Sequence, residues 1–279
     1  MLFLCLAILS SCAISLLMRI SARRISARLS MLGINYLVCT LLGAVYAGFD
    51  LVCPRVSGFP MTVVLGAVSG ILFLGGFVLF QYNTEKNGIV LSSIFMKLGL
   101  LVPMTVSVLV FREMPTWSQI TGFCIALAAI VLLNLKKEKS QRRFAWQLFA
   151  MLLMCGGADA MSKIFETLGP AALADQFLFY TFAVALLLCV ALVVWRKERP
   201  GIRELLFGAA IGIPNFFASK FLLLSLKALP AVVVFPSFSI GTMLVATVAG
   251  VLFFKERLGK IQWLALGGII LALLLLNIG

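Results

Sequence analysis

The chain has 279 residues, 62% of them hydrophobic and only 12% charged, with a mean hydropathy of +1.13 and a formal net charge of +13. No water-soluble domain of this size carries such a composition without exposing large apolar patches, so its solvent is lipid. The chain has no histidine, no paired carboxylates and no GxxxxGK phosphate loop, which argues against metal chemistry, ATP-driven transport and most membrane-embedded hydrolysis.

A helix that crosses a bilayer needs about 20 mainly apolar residues. Ten stretches meet this need: residues 1–18, 29–48, 60–82, 89–110, 117–135, 144–165, 173–195, 204–226, 231–253 and 261–278. The first lacks a basic leading segment and runs directly into Arg19, so it reads as a retained span and not a signal peptide. The third ends in Gln81 and Tyr82, a gate at one mouth or a piece of an interfacial aromatic belt. The basic run KKEKSQRR (136–143) joins the fifth span to the sixth. Cys5, Cys12, Cys39, Cys53, Cys124, Cys155 and Cys189 are scattered without CxxC spacing and read as small buried hydrophobes.

The chain repeats itself. FREMPTWSQITGFCIALAAIVLLN (111–134) aligns with FKERLGKIQWLALGGIILALLLLN (254–277) at an offset of 143, matching Phe111 with Phe254, Glu113 with Glu256, Gln119 with Gln262, Ala129 with Ala272 and Asn134 with Asn277. An offset of 142 pairs Gly66 with Gly208 and Gly70 with Gly212. Five spans per copy is an odd number, so the second copy enters the membrane from the opposite side. The expected fold is an all-α integral membrane protein of ten transmembrane helices, arranged as two inverted five-helix repeats, 1–135 and 144–279.

Positive charge tracks topology. Arg19, Arg23, Arg24 and Arg28, then Lys136, Lys137, Lys139, Arg142 and Arg143, then Arg196, Lys197, Arg199 and Arg203 fall in alternate loops, whereas the intervening loops carry only Arg55, Arg112 and Lys227. This positive-inside bias accounts for the net charge without a nucleic-acid partner and places the 136–143 linker in the cytoplasm, with both termini outside.

Ten spans as five plus five, with Glu113 after LLVPMTVSVLVFR and Glu256 after TMLVATVAGVLFFK, resemble the drug/metabolite transporter superfamily and its EamA-like members. The resemblance implies a secondary transporter or exchanger of small organic metabolites, working by alternating access around a central cavity lined mainly by the third, fourth, eighth and ninth spans. It implies a plasma (inner) membrane location, a small-molecule metabolite and the lipid bilayer as partners, no cofactor, no metal and no enzymatic activity; a homodimer is left open. The charge bias runs opposite to the family in one respect, because members commonly keep both termini in the cytoplasm.

Charges inside spans need reasons, since a lysine at mid-bilayer costs about 2.5–3.5 kcal/mol on insertion scales. Lys97 lies nine residues after Gly88, roughly 13 Å deep at 1.5 Å per residue, too far to snorkel easily. It shares a face with Ser93, and Pro103 is expected to free a backbone carbonyl nearby. A buried pair with an acid is the structural reading; a contact for a carboxylate or other anionic group is the preferred one. Lys220 follows Pro214, Asn215 and Ser219 in the eighth span, where snorkelling and cavity lining compete, and helix–helix bonding competes with binding for Asn215. Lys163 matches Arg19 in the repeat and reads as a snorkelling residue. Asp159 pairs with Lys163 one turn on, neutralises Lys97 or Lys220, or carries a coupling proton. The candidate substrate-binding set is Lys97, Ser92, Ser93, Asn215, Ser219, Lys220, Ser237 and Tyr82, with Asp159 as charge partner or proton site. The competing class is a non-transporting membrane scaffold or partner subunit.

Overall fold

The computed structural model describes residues 1–21, 24–25, 27–52, 55–87, 89–134, 145–254 and 260–278. The 136–143 linker, the turn carrying Lys255 and Glu256, and Arg23, Cys53 and Gly88 lie outside the described residues. The described residues form helices α1 (Leu2–Ser21), α2 (Arg28–Tyr46), α3 (Phe59–Asn87), α4 (Ile89–Leu98), α5 (Leu101–Leu109), α6 (Trp117–Asn134), α7 (Ala145–Leu168), α8 (Ala174–Arg196), α9 (Ile202–Ala228), α10 (Ala231–Phe254) and α11 (Lys260–Ile278).

Among the described residues, eight segments are long and apolar enough to cross a membrane, α4 and α5 counting as one, and α6 and α11 supply two shorter apolar helices. The protein is therefore a multi-pass, all-helical membrane protein. Its four tryptophans, Trp117, Trp146, Trp195 and Trp263, all sit near helix ends and are 64–85% exposed, as an interfacial aromatic girdle requires.

One predicted span differs from expectation. Residues 89–110 are not a continuous helix: α4 stops at Leu98 and α5 resumes at Leu101. Pro103 cannot donate to the Gly99 carbonyl, which instead accepts from Val102 N at 2.9 Å, while Leu100 N reaches back only to Lys97 O. Tight three-residue turns thus replace one turn of α-helix, and Gly99 tolerates the bend.

The chain packs as two compact units, one formed by Met1–Leu74 and Met161–Lys227, the other by Gly75–Ala160 and Ala228–Gly279. Each contains a pair of repeat-equivalent helices. In the first unit Gly33 of α2 lies against Cys189 of α8, while Gly43 lies against Phe179, so the two helices run antiparallel. In the second, Gly122 of α6 faces Leu275 of α11 and Gly268 faces Ala129, again antiparallel. Copies of one sequence element that meet head to tail are what inverted repeats produce.

The repeated glycines serve equivalent contacts within the first unit. A Cβ on Gly66 would sit 2.8 Å from Tyr180 Cβ of α8; one on Gly208 would sit 2.8 Å from Ile34 Cβ of α2. Around them Tyr36, Phe73, Phe182 and Phe216 form an aromatic core, and Phe165 stacks on Phe177 with centroids 4.3 Å apart. The second unit has an aliphatic core that includes Leu100, Met104, Ile130, Ile240, Ile269 and Leu276.

The repeated polar residues build helix starts. The Glu113 carboxylate accepts from Ala231 N at 2.9 Å, closing the first turn of α10. Gln119 accepts from Thr116 N at 3.0 Å while Thr116 Oγ1 accepts from Gln119 N at 3.4 Å, a reciprocal capping box for α6.

Candidate functional site

The second unit brings Lys97 and Asp159, which the repeat matches to Ile240 and Ser15, near each other, and glycines make the approach close enough. Where α4 ends, Gly99 meets Gly156 of α7: a Cβ on Gly99 would lie 3.1 Å from Gly156 N, and one on Gly156 would overlap the Gly99 carbonyl. On the other side of α7, a Cβ on Gly76 of α3 would fall 2.8 Å from Cys155 Sγ, and Gly75 abuts Met154 in the same way. With α7 pressed between α3 and the α4–α5 break, Asp159 stands one turn beyond Gly156 and Lys97 two residues before Gly99.

Lys97 and Asp159 interact electrostatically without a direct ion pair. The ammonium donates instead to Thr242 Oγ1 of α10 at 3.4 Å, and that hydroxyl donates to Ser239 O at 2.8 Å. Lys97 ends a half-helix, where a cation complements the free carbonyls. Lys97 and Asp159 both keep partial surface access.

The other candidates in this unit vary. Ser92 is fully buried, and Ser93 is half-buried on the Lys97 face. Ser237 of α10 is 2% exposed, and its hydroxyl has no hydrogen-bond partner among the described residues. Tyr82, near the end of α3, is 38% exposed.

Asn215, Ser219 and Lys220 belong to the first unit. Asn215 Nδ2 donates to Asn35 Oδ1 of α2 at 3.2 Å, a bond between helices. Lys220 is held twice: its ammonium lies 2.7 Å from Asp175 Oδ1 and 3.6 Å from the centre of the Tyr46 ring. Ser219 is half-buried.

Lys163 corrects the sequence expectation. It is 4% exposed and bonds Glu166 at 2.8 Å, so it neither snorkels to the headgroups nor serves as the partner of Asp159. Glu166 lies on the next turn at i+3, one residue nearer in sequence than Asp159 at i−4, and closes the pair at the end of α7.

Sequence reasoning missed Thr242, which bonds Lys97. Thr242 is the repeat counterpart of Gly99, the break beside Lys97, and that correspondence was the available signal. Among the described residues no group of three or more His, Cys, Asp or Glu side chains is placed to hold a metal ion.

An uncharacterized protein of Haemophilus influenzae is 25% identical over 277 residues, spanning 93% of this chain and 92% of its own length. A crystallised protein shares the fold with a TM-score of 0.75 at 16% identity, covering 99% of this chain and 96% of the other. Residues 144–278 match the EamA-like transporter family. That match covers the second half of the chain, and the family is one of membrane transporters.

Proposed function

We propose that the protein is a secondary transporter or exchanger of small organic metabolites bearing a carboxylate or another anionic group, working by alternating access in the plasma (inner) membrane. One contrast carries the reading. Of the lysines inside spans, Lys163 and Lys220 are each neutralised by an acid at hydrogen-bond distance, whereas Lys97 has a hydroxyl for a partner and Asp159 only as a more distant counter-charge. A cation maintained in a span without a direct counter-ion is available to a substrate anion.

In this reading Lys97 receives the anionic group, and Thr242 holds the ammonium in place between turnovers. The Ser237 hydroxyl, buried and unpartnered, supplies a neutral hydrogen bond, with Ser92 and Ser93 as further polar lining. Asp159 balances the lysine when the site is empty and is the candidate proton site. A zwitterionic substrate fits the same arrangement, its anion on Lys97 and its cation on Asp159.

The test is counterflow in proteoliposomes with a panel of amino acids, organic acids and nucleobases. Saturable flux of an anionic or zwitterionic compound, lost in Lys97→Ala, is the expected result. Absence of saturable flux for every compound would overturn the transport reading, and undiminished flux in Lys97→Ala would overturn the assignment of the lysine.

A further inference from the structure

A second basic site lies in the first unit. Arg203, Leu206, Phe207 and Ala210 follow the i, i+3, i+4, i+7 spacing that puts them on one face of α9. Together with Leu17 of α1 and Arg24 in the turn that follows α1, they line an open cleft of about 540 Å³. Both arginines are exposed, and neither guanidinium has an acidic partner among the described residues.

The nearby acids face the other way. Glu204 accepts from Gly201 N at 3.1 Å and Ala27 N at 3.5 Å, and Glu198 accepts from Ser30 N and Ser30 Oγ at 3.0 and 3.1 Å. Both carboxylates are thus engaged with the N-terminal ends of α2 and α9, which leaves the positive charge of the cleft uncancelled. The floor is different in kind: Leu206, 64% exposed, continues into Phe207, Ala210 and Leu17 with no polar side chain among them.

We infer that this cleft is a binding site for an anionic glycerophospholipid of the surrounding leaflet. Its phosphodiester would lie between Arg24 and Arg203, and an acyl chain would run along Leu206, Phe207, Ala210 and Leu17. Guanidinium groups match phosphate oxygens in pairs, and an apolar stripe leading from them into the bilayer is of use only to a ligand with a tail. A soluble anion would leave the stripe uncovered. Arg24, in the turn after α1, and Arg203, in the first turn of α9, also belong to two of the arginine-rich stretches that the charge bias puts on one side of the membrane, where headgroup charge attracts basic residues.

The experiment uses the full chain in mixed nanodiscs of phosphatidylglycerol and phosphatidylcholine, with retained lipids counted by native mass spectrometry after release into detergent. The wild type should keep phosphatidylglycerol preferentially. Arg24→Gln with Arg203→Gln should cut that preference by about fivefold per arginine, whereas Arg196→Gln with Arg199→Gln, equal in charge but outside the cleft, should not. Leu206→Trp, which fills the groove and leaves both arginines, should also remove it. Size-exclusion profiles and thermal unfolding in phosphatidylcholine confirm that each variant is folded. Equal retention of the two lipids by the wild type, an unchanged preference in the cleft variants, or displacement of the lipid by soluble glycerol phosphate would each overturn the proposal.

Discussion

Removing both charges of the Lys97–Asp159 site should stabilise the protein while it destroys transport. A lysine in a span costs about 2.5–3.5 kcal/mol, and the return here is small. One hydrogen bond to Thr242 at 3.4 Å belongs at the weak end of the 0.5–1.5 kcal/mol range, and the attraction to Asp159 acts without direct contact. Changing the lysine alone would strand the carboxylate, so the informative perturbation is Lys97→Met with Asp159→Asn, which keeps both volumes. Replacing an imperfect buried pair in this way yields about 1–3 kcal/mol of stability, and at this chain length each 1 kcal/mol moves Tm by about 2–4 °C. Counterflow of the anionic substrate should fall by more than about tenfold in kcat/KM. The comparison is Lys220→Met with Asp175→Asn, which removes a 2.7 Å ion pair and a cation held 3.6 Å from the Tyr46 ring. Those side chains keep 18% and 30% of their surface, so the expected loss is discounted for solvent to about 1–2 kcal/mol. If the Lys97 and Asp159 changes lower Tm as much as the Lys220 and Asp175 changes, or leave counterflow intact, the reasoning fails.

Three further outcomes follow from particular contacts. Asp159→Asn alone should abolish uptake driven by an imposed pH gradient while counterflow at equal pH persists; loss of both together would remove Asp159 as a coupling residue. Glu113→Ala should cost about 1 kcal/mol by releasing Ala231 N from its charged acceptor, with Glu113→Gln recovering part of it, as read from thermal unfolding. Gly156→Ala should cost about 1–3 kcal/mol because its Cβ meets the Gly99 carbonyl and Val102, whereas Gly267→Ala, with nothing within 4 Å, should be close to neutral in the same assay.

The spans and their inverted pairing were legible because lipid enforces them: every stretch of about 20 apolar residues has to become a helix, and an odd number per repeat reverses the second copy. The role of the recurring Glu113 and Gln119 was legible as scaffold, and the bonds to Ala231 and Thr116 supply the mechanism. The break at Gly99 was only half legible. Pro103 announced a freed carbonyl, but where a helix stops depends on what replaces the missing bond, here a tight turn pressed against Gly156. Lys163 was misread because its match to Arg19 in the repeat suggested a headgroup position, whereas packing buries it against Glu166. Thr242 is distant in the chain from Lys97 and meets it through tertiary contact, so its match to Gly99 in the repeat was the one pointer to it.

The asymmetry of the charged site has a physical cause in the repeat itself. Lys97 corresponds to Ile240, and the hydroxyl that holds Lys97 belongs to Thr242, two residues further along α10. Matched positions of the two copies are therefore near one another in the second unit. A lysine kept in both copies would set a second ammonium within a turn of Thr242, while Asp159 is coupled to the first. Ile240 is instead fully buried in the aliphatic cluster with Leu100 and Met104, where a cation would have no counter-ion. Asp159 likewise stands against Ser15 in the alignment. Duplication can supply the scaffold twice, but the aliphatic packing around Ile240 leaves room for the charge in one copy only, and so the lysine breaks the symmetry.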